Sequence, residues 1–220
     1  MKLIIGNKNY SSWSLRPWLL LRAFEVEFEE QWVSLQAPNL TQRLSQYSDS
    51  ARVPVLIDQG LTVWDSLAIC EYVNDEHLQG IGWPADVGDR ALARSIASEM
   101  HSGFSALRNE MPMNIRASRV VQPSAACLED IARIDQIWSQ YARSNSNGDL
   151  RLFGEFGISD CMFAPVVMRF ATYKPSLSTQ SKNYMNSMLR HKALCEWIED
   201  AVKEAEVVEV DEAGTERVEE

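Results

Sequence analysis

The segment RVPVLIDQGLTVWDSLAICEY, residues 52–72, constrains the fold more than any other part of the sequence. Its apolar residues alternate on either side of the turn signal DQG, which predicts a β-hairpin. Pro54 interrupts the first strand, and because proline cannot donate to the sheet ladder, it predicts an edge, a bulge or a cis bond there. Apolar residues at helical spacing follow Asp65 and Ser66, so this pair is expected at a helix N-terminus.

Two interpretations of Asp65 and Ser66 remain open from the residues alone. Aspartate and serine are common N-cap residues, so ordinary capping is the simpler interpretation. A helix N-terminus also holds carboxylates, because its N–H groups are unpaired and the helix dipole is positive at that end. A strand with free backbone beside such a helix start would suit an extended small peptide, and Pro54 therefore favours a peptide-carboxylate site.

The residues before this hairpin predict a strand, a loop and a helix. A short apolar run at residues 3–5 predicts the strand, and residues 16–24 have the pattern of a helix with Pro17 in its first turn. The polar loop between them contains Ser11 and Ser12, for which helix capping is again the simpler interpretation. With a second strand at residues 28–35, the predicted order is β-α-β-α-β-β-α, which is thioredoxin-like. Sheets of this kind bind ligands at the carboxyl ends of their strands, where the serine loop, Pro54 and Asp65 would meet.

The rest of the chain predicts a second, all-α unit. Residues 1–79 are expected to form the thioredoxin-like domain, and the Gly- and Pro-containing stretch 80–88 a linker. Residues 89–205 carry apolar residues at helical spacing, which predicts a helical bundle domain. Residues 206–220 contain seven acidic residues and a single arginine, and are expected to be a disordered acidic tail.

Composition excludes several classes of function. The net charge of −10 argues against nucleic-acid binding, which would need a basic face. No segment is apolar enough for a membrane helix or a signal peptide, so we expect a cytoplasmic protein. The four cysteines and three histidines have no metal-ligand spacing, so we expect no metal and read the cysteines as reduced core thiols.

Four segments together resemble a cytosolic glutathione S-transferase: SSWSLRPWLL, RVPVL, DSLAICEYV and the late GISDCMFAPV. The resemblance spans residues 1 to about 205 and is closest to the serine-type zeta branch or related bacterial enzymes. Two positions depart from the family pattern. Asp65 stands where the family usually has Glu or Gln, and Gly157 lacks the hydroxyl of a capping box, so only Asp160 retains its half.

The resemblance implies a transferase that uses glutathione as cosubstrate, for conjugation or isomerisation of a small electrophile, in a protein that is generally a homodimer. A serine hydroxyl would stabilise the glutathione thiolate; the spacing of four residues to Arg16 favours Ser12, whereas the zeta-like alignment favours Ser11. Arg16 itself is expected to tie the helix to the domain. The remaining glutathione contacts implied by the family are Trp13, Arg52, Val53, cis-Pro54, Asp65 and Ser66.

The second substrate would bind over the sulfur, against the first helices of the second domain. Arg108 and Arg116 would suit an anionic substrate, and the full set of candidates is Met100, Phe104, Arg108, Met111, Asn114 and Arg116. Met and Phe at helical spacing are more often core residues. A non-catalytic binding module is the main alternative, because fold does not fix function; a thiol-disulfide oxidoreductase is less favoured, because no cysteine stands in the serine loop.

Overall fold

Residues 1–217 are described by the structure, a computed structural model, and they begin with a four-stranded sheet covered by helices. The elements of this part are β1 (Lys2–Ile5), α1 (Ser12–Ala23), β2 (Glu29–Trp32), α2 (Leu40–Leu44), β3 (Val55–Asp58), β4 (Leu61–Val63) and α3 (Ser66–Glu76). The strand order is β2-β1-β3-β4, with β1 parallel to β2 and antiparallel to β3, and β3 antiparallel to β4. The thioredoxin-like prediction is confirmed.

The apolar run in β1 follows from its central position in the sheet. Leu3 and Ile5 face the main core beneath α1 and α3, while Ile4 faces a smaller cluster with Val55 and Leu44. Because both faces of the strand are covered, the sequence shows a continuous apolar run instead of alternation.

Helix α1 begins earlier than the sequence predicted. The Leu15 amide bonds the Ser11 carbonyl at 3.2 Å, so the helix starts at Ser12 instead of Arg16. Pro17 therefore lies inside the helix and not in its first turn. The shift places Ser12 at the N-terminus of α1, where backbone N–H groups lack intrahelical partners.

The Val53–Pro54 peptide is cis, as predicted from a proline inside a good strand pattern. The Trp64–Asp65 peptide immediately before α3 is also cis. Both bonds flank the hairpin formed by β3 and β4.

The second part of the chain is mainly helical. Its elements are α4 (Val87–Ser102), α5 (Ser105–Glu110), β5 (Arg119–Val120), α6 (Ala125–Tyr141), β6 (Ala142–Ser144), β7 (Leu150–Leu152), α7 (Ile158–Tyr173), α8 (Thr179–Leu189), α9 (Lys192–Ala201), a 3₁₀ turn (Glu209–Asp211) and β8 (Thr215–Glu216). The prediction of an exclusively helical domain missed the β6–β7 hairpin and the β5–β8 ladder. These strands of two or three residues are too short to give a periodicity that sequence analysis can detect.

Helix α7 connects the two parts. It is buried along nearly its whole length and packs against both α1 and α4. The Trp18 ring of α1 meets the Trp197 ring of α9 edge to face at 5.0 Å, so a continuous core runs through both parts.

The prediction of a disordered acidic tail is wrong for residues 206–217. Glu206 accepts hydrogen bonds from Asn7 and Ser34, and β8 pairs with β5. These carboxylates are matched to specific donors, so a high density of negative charge was not sufficient evidence of disorder in this segment. Residues 218–220, the remainder of that predicted tail, lie outside the described residues.

Across residues 1–217, none of the helices combines the length and apolar character needed to cross a bilayer.

Candidate functional site

A cleft with a volume of about 520 Å³ lies between the hairpin, the start of α3 and the end of α4. Besides Ser11 and Ser12, the family resemblance assigns six residues to glutathione. All six line this cleft: Trp13, Arg52, Val53, Pro54, Asp65 and Ser66. Ser50, Trp64 and His101 line it as well. The volume is in the range of small-molecule sites. Segments that are far apart in sequence therefore meet at one place.

Asp65 and Ser66 begin α3 at the floor of this cleft. The Oδ1 atom of Asp65 accepts hydrogen bonds from the amides of Leu67 at 3.0 Å and Ala68 at 3.3 Å, so Asp65 caps the helix as the simpler interpretation predicted. Its side chain is nevertheless 50% exposed, and Oδ2 faces His101 Nε2 at 2.8 Å. Capping thus uses one oxygen of Asp65, and the other is directed into the cleft.

Arg16 lies beneath Ser66 and carries a buried charge. The side chain is fully buried and its Nη1 is 3.4 Å from Ser66 Oγ, while Nε and Nη2 have no hydrogen-bond partner among the described residues. Burial lowers the pKa of Arg16 to about 9, and the positive charge of Arg108 acts in the same direction. A buried guanidinium with unused donors provides positive potential directly behind the start of α3.

Trp13 forms the wall of the cleft between two cations. The guanidinium carbons of Arg16 and Arg108 lie 4.4 and 4.8 Å from its ring centroid, within cation–π distance. His101 meets the same ring edge to face at 5.4 Å. Burial lowers the pKa of His101, with Arg16 and Arg108 acting in the same direction and Asp65 opposing them. The end of the cleft around Trp13 is therefore electropositive.

Neither candidate serine lines the cleft, although Ser12 immediately precedes Trp13, which does. Ser11 is the N-cap of α1, and its hydroxyl donates to Ser14 Oγ at 2.7 Å. Ser12 is also buried, but its hydroxyl forms no hydrogen bond within the described part of the chain. The two hydroxyls thus differ in whether their proton is already engaged.

None of the six predicted second-substrate residues lines the cleft. Met100, Phe104 and Met111 are buried in the main core. Arg108 bonds the carbonyls of Gly103 and Met100 while stacking on Trp13. The last two candidates, Asn114 and Arg116, do not line the cleft and instead bond the serine loop and the C-terminal segment.

Sequence reasoning missed Ser50, Trp64 and His101 as cleft residues. Ser50 and Trp64 adjoin predicted residues, so a wider window around the two motifs would have included them. His101 had no usable signal, because a single histidine in a helical pattern does not show which neighbour it faces. Its position depends on how α4 crosses the start of α3.

In the part of the chain that the structure describes, no group of three His, Cys, Asp or Glu side chains is arranged to hold a metal ion. The four cysteines are unpaired thiols, and burial raises the pKa of Cys70 and Cys161.

Part of this arrangement matches a known protein family. Residues 10–76 match the family model described as the glutathione S-transferase N-terminal domain. This segment of the chain is therefore similar to the N-terminal domain of glutathione S-transferases. The matched segment contains Ser11 and Ser12, Pro54 with the following strand β3, and the start of α3.

Two curated proteins and one solved structure illustrate the likeness. The chain is 33% identical over 98 residues to a probable maleylacetoacetate isomerase of Caenorhabditis elegans, covering 44% of this chain and 45% of that protein. It is 38% identical over 55 residues to a dichloromethane dehalogenase of Methylorubrum extorquens, covering 24% of this chain and 19% of that protein. The matches therefore span less than half the length of either relative.

A crystal structure of a Burkholderia glutathione transferase homologue with bound glutathione superposes with a TM-score of 0.70 at 20% identity, covering 91% of this chain and 97% of that chain. At this level of identity the likeness is one of fold. This likeness of fold extends well beyond residues 10–76 and includes most of the helical part.

Proposed function

We propose that this protein is a glutathione transferase in which a serine hydroxyl activates the glutathione thiol for reaction with a small electrophile. The observation that supports the proposal most directly is the cleft, because the six residues expected to contact glutathione line it together. Glutathione is the cosubstrate in this proposal, and no metal takes part. By likeness to the family, we also propose that the protein is a cytoplasmic homodimer.

Glutathione would lie extended along the cleft. The backbone of Val53, just before cis-Pro54, would pair with the cysteinyl part in the manner of an added strand. Ser66 and the N–H groups after it would hold the γ-glutamyl carboxylate, Asp65 would face its ammonium group, and Arg52 would pair with the glycyl carboxylate. The buried charge of Arg16 beneath Ser66 supports an anion at that position.

The serine acts as a hydrogen-bond donor and not as a nucleophile. A free thiol has a pKa of about 8.5 and is mostly protonated at neutral pH. A hydroxyl donor at a helix N-terminus favours the thiolate through a charge-assisted hydrogen bond and the helix dipole. Lowering the thiol pKa by one unit corresponds to about 1.4 kcal/mol, which these two effects can supply together.

Ser12 is our first choice for the donor and Ser11 the second. The Ser12 hydroxyl forms no hydrogen bond within residues 1–217, so its proton is available to a sulfur, whereas the Ser11 proton is engaged with Ser14 Oγ. Ser11 would have to rotate away from Ser14 to take the same role.

The electrophile would bind beside Trp13 and Arg108. A guanidinium stacked on an indole at the wall of a cleft suits a substrate that carries a carboxylate. A curated relative is called a probable maleylacetoacetate isomerase and another a dichloromethane dehalogenase, so isomerisation and conjugation are both consistent with the proposal.

The test compares the variants Ser12→Ala, Ser11→Ala and Ser12→Thr with the parent. We expect Ser12→Ala to raise the pKa of bound glutathione and to slow conjugation at neutral pH, while Ser12→Thr, which retains a hydroxyl, preserves much of both. Glutathione affinity should change little, since the tripeptide is held elsewhere. The measurements are the pH dependence of thiolate absorbance in the complex, turnover with chlorodinitrobenzene and calorimetric glutathione titration.

The outcomes separate the alternatives. A raised thiolate pKa in Ser11→Ala alone would reassign the donor to Ser11. A parent protein that binds glutathione without lowering its thiol pKa would instead be a non-catalytic binding module.

A further inference from the structure

The C-terminal segment from Glu204 to Arg217, here called the C-terminal strap, crosses the loop that precedes α1. This loop, residues 7–11, connects β1 to the candidate serines and is buried throughout although most of its residues are polar. Buried polar groups are costly unless each has a hydrogen-bond partner. The loop can hold its observed path only if something other than water supplies those partners.

The strap supplies many of them. The Glu204 carboxylate accepts the backbone N–H of Lys8 at 2.7 Å and of Asn9 at 3.0 Å. The Glu206 carboxylate accepts the side-chain amide of Asn7 at 2.9 Å. Three consecutive loop residues are therefore fixed by two acidic residues of the strap.

The strongest cluster is at Tyr10. Its hydroxyl donates to Glu212 Oε1 at 2.5 Å and accepts from Arg116 Nη2 at 2.7 Å. Glu212 also accepts from Asn114 at 2.9 Å and contacts the Arg119 guanidinium. Arg116 in turn donates to the backbone carbonyls of Glu204 and Glu206, so it holds the strap in place from the other side.

Tyr10 is adjacent to the candidate serines. The Ser12 amide bonds the Tyr10 carbonyl at 2.8 Å, and the Ser11 amide bonds the Asn7 carbonyl at the same distance. A displacement of Tyr10 would therefore be transmitted directly to the first residues of α1. The strap carboxylates are more than 190 residues away in sequence from the loop they fix.

We propose that the C-terminal strap positions the serine loop for thiolate stabilisation, with Glu212 and Arg116 as positioning residues that act through Tyr10. The inference rests on the proposed function, since it concerns the placement of the serine hydroxyl. It assigns to Asn114 and Arg116 a role in holding the loop, in place of contact with the second substrate. An error of about 1 Å in the position of a group that must meet the sulfur is enough to slow a reaction by up to about 100-fold.

The test uses Glu212→Ala, with Tyr10→Phe as a second variant and Glu209→Ala as the matched control. Glu209 is an exposed strap residue whose side chain forms no hydrogen bond in residues 1–217, so its removal deletes the same charge and none of the cluster's hydrogen bonds. Tyr10→Phe deletes one oxygen atom and keeps the ring packing, so it stays informative even if Glu212→Ala fails to fold. Circular dichroism and thermal melting establish which variants are folded.

We expect Glu212→Ala to raise the thiolate pKa of bound glutathione by about one unit and to lower kcat by about 10- to 100-fold. Tyr10→Phe should show a smaller change of the same sign, and Glu209→Ala none. Glutathione affinity, measured by calorimetry, should stay within about twofold of the parent in all three variants because the cleft contacts are intact. A role in stability alone would lower the melting temperature without moving the thiolate pKa.

Folded Glu212→Ala or Tyr10→Phe variants with the parental thiolate pKa and kcat would overturn the inference while leaving the proposed function intact. A parent that does not lower the thiol pKa of glutathione at all would overturn both. The two failures are therefore distinguished by the parent measurement alone.

Discussion

Asp160 and Asp65 both accept backbone N–H groups at the start of a helix, α7 and α3 respectively, but they differ in burial and in the use of their second oxygen. Asp160 in the first turn of α7 is completely buried, and its oxygens accept from the Leu152 amide at 3.0 Å, the Gly157 amide at 3.1 Å and the Tyr184 hydroxyl at 3.0 Å. Asp65 at the start of α3 is half exposed, and only one of its oxygens is used for capping.

The surroundings of the two carboxylates show what each helix start is built for. Burial raises the pKa of Asp160 to about 6, although its hydrogen bonds oppose the shift. Asp65 instead adjoins a cleft, a histidine and the buried guanidinium of Arg16. A carboxylate whose acceptors are all used in the core stabilises the fold, whereas a half-exposed one whose second oxygen faces only a cleft histidine, with positive potential nearby, remains able to bind a ligand.

Replacing Asp160 by Ala should give the largest effect on stability. The variant leaves two amides and a hydroxyl without partners in the core, so we expect the free energy of unfolding to fall by about 3 to 5 kcal/mol. Urea denaturation measures it. The folded fraction should still bind glutathione normally, because Asp160 does not line the cleft. If the free energy of unfolding falls by less than about 1 kcal/mol, Asp160 is not the stabilising aspartate of the two.

The same variant carries a pH signature. The pKa of Asp160 is raised in the folded state, so the folded protein binds more protons than the unfolded chain between the ordinary aspartate pKa and about 6. Its contribution to the free energy of unfolding therefore increases as the pH falls from 7 to 5. The difference between parent and Asp160→Ala should widen over that interval.

Removing Asp65 or Ser66 should show the opposite pattern. We expect Asp65→Ala and Ser66→Ala each to weaken glutathione binding by about 1 to 3 kcal/mol, for lost hydrogen bonds to a charged group, without unfolding the protein. Asp86→Ala is the matched control, because Asp86 caps α4 through the Asp89 amide at 2.8 Å but does not line the cleft. If calorimetry finds parental affinity in both cleft variants, the α3 site is a helix cap and nothing more.

The contrast between the two aspartates could be predicted only in part from sequence. The half capping box is confirmed by the hydrogen bond from the Gly157 amide to the Asp160 carboxylate at 3.1 Å. The cis peptide bond before Pro54 is confirmed as well. Both depend on residues close together in the chain, where local rules apply. That Asp160 also accepts from Tyr184 depends on how α8 packs against α7, which no local pattern specifies.

The C-terminal strap also shows that a local sequence pattern does not determine the structure of a segment. Its composition predicted disorder, because a cluster of carboxylates repels itself and buries little apolar surface. The structure matches those carboxylates with Tyr10, Arg116, Arg119 and the loop amides, which are donors from distant parts of the chain. Charge patterns describe a segment in isolation, whereas its order here depends on partners that the fold brings to it.

Arg16 provides the smallest and most specific test of whether the start of α3 is built for binding. Its guanidinium is fully buried with two nitrogens unpartnered in the described residues, so it costs stability when no anion is present. We therefore expect Arg16→Met to leave the free energy of unfolding unchanged or to raise it by about 1 kcal/mol, and to weaken glutathione binding by roughly tenfold. Arg169→Met is the matched control, because Arg169 is also buried but donates to the Met111 and Arg108 carbonyls. Its loss should therefore destabilise the fold and spare glutathione affinity. Urea denaturation and calorimetry on both variants give the answer. An Arg16→Met protein that is strongly destabilised yet binds glutathione like the parent would show that Arg16 serves the fold, and the proposed division between the two helix starts would then fail.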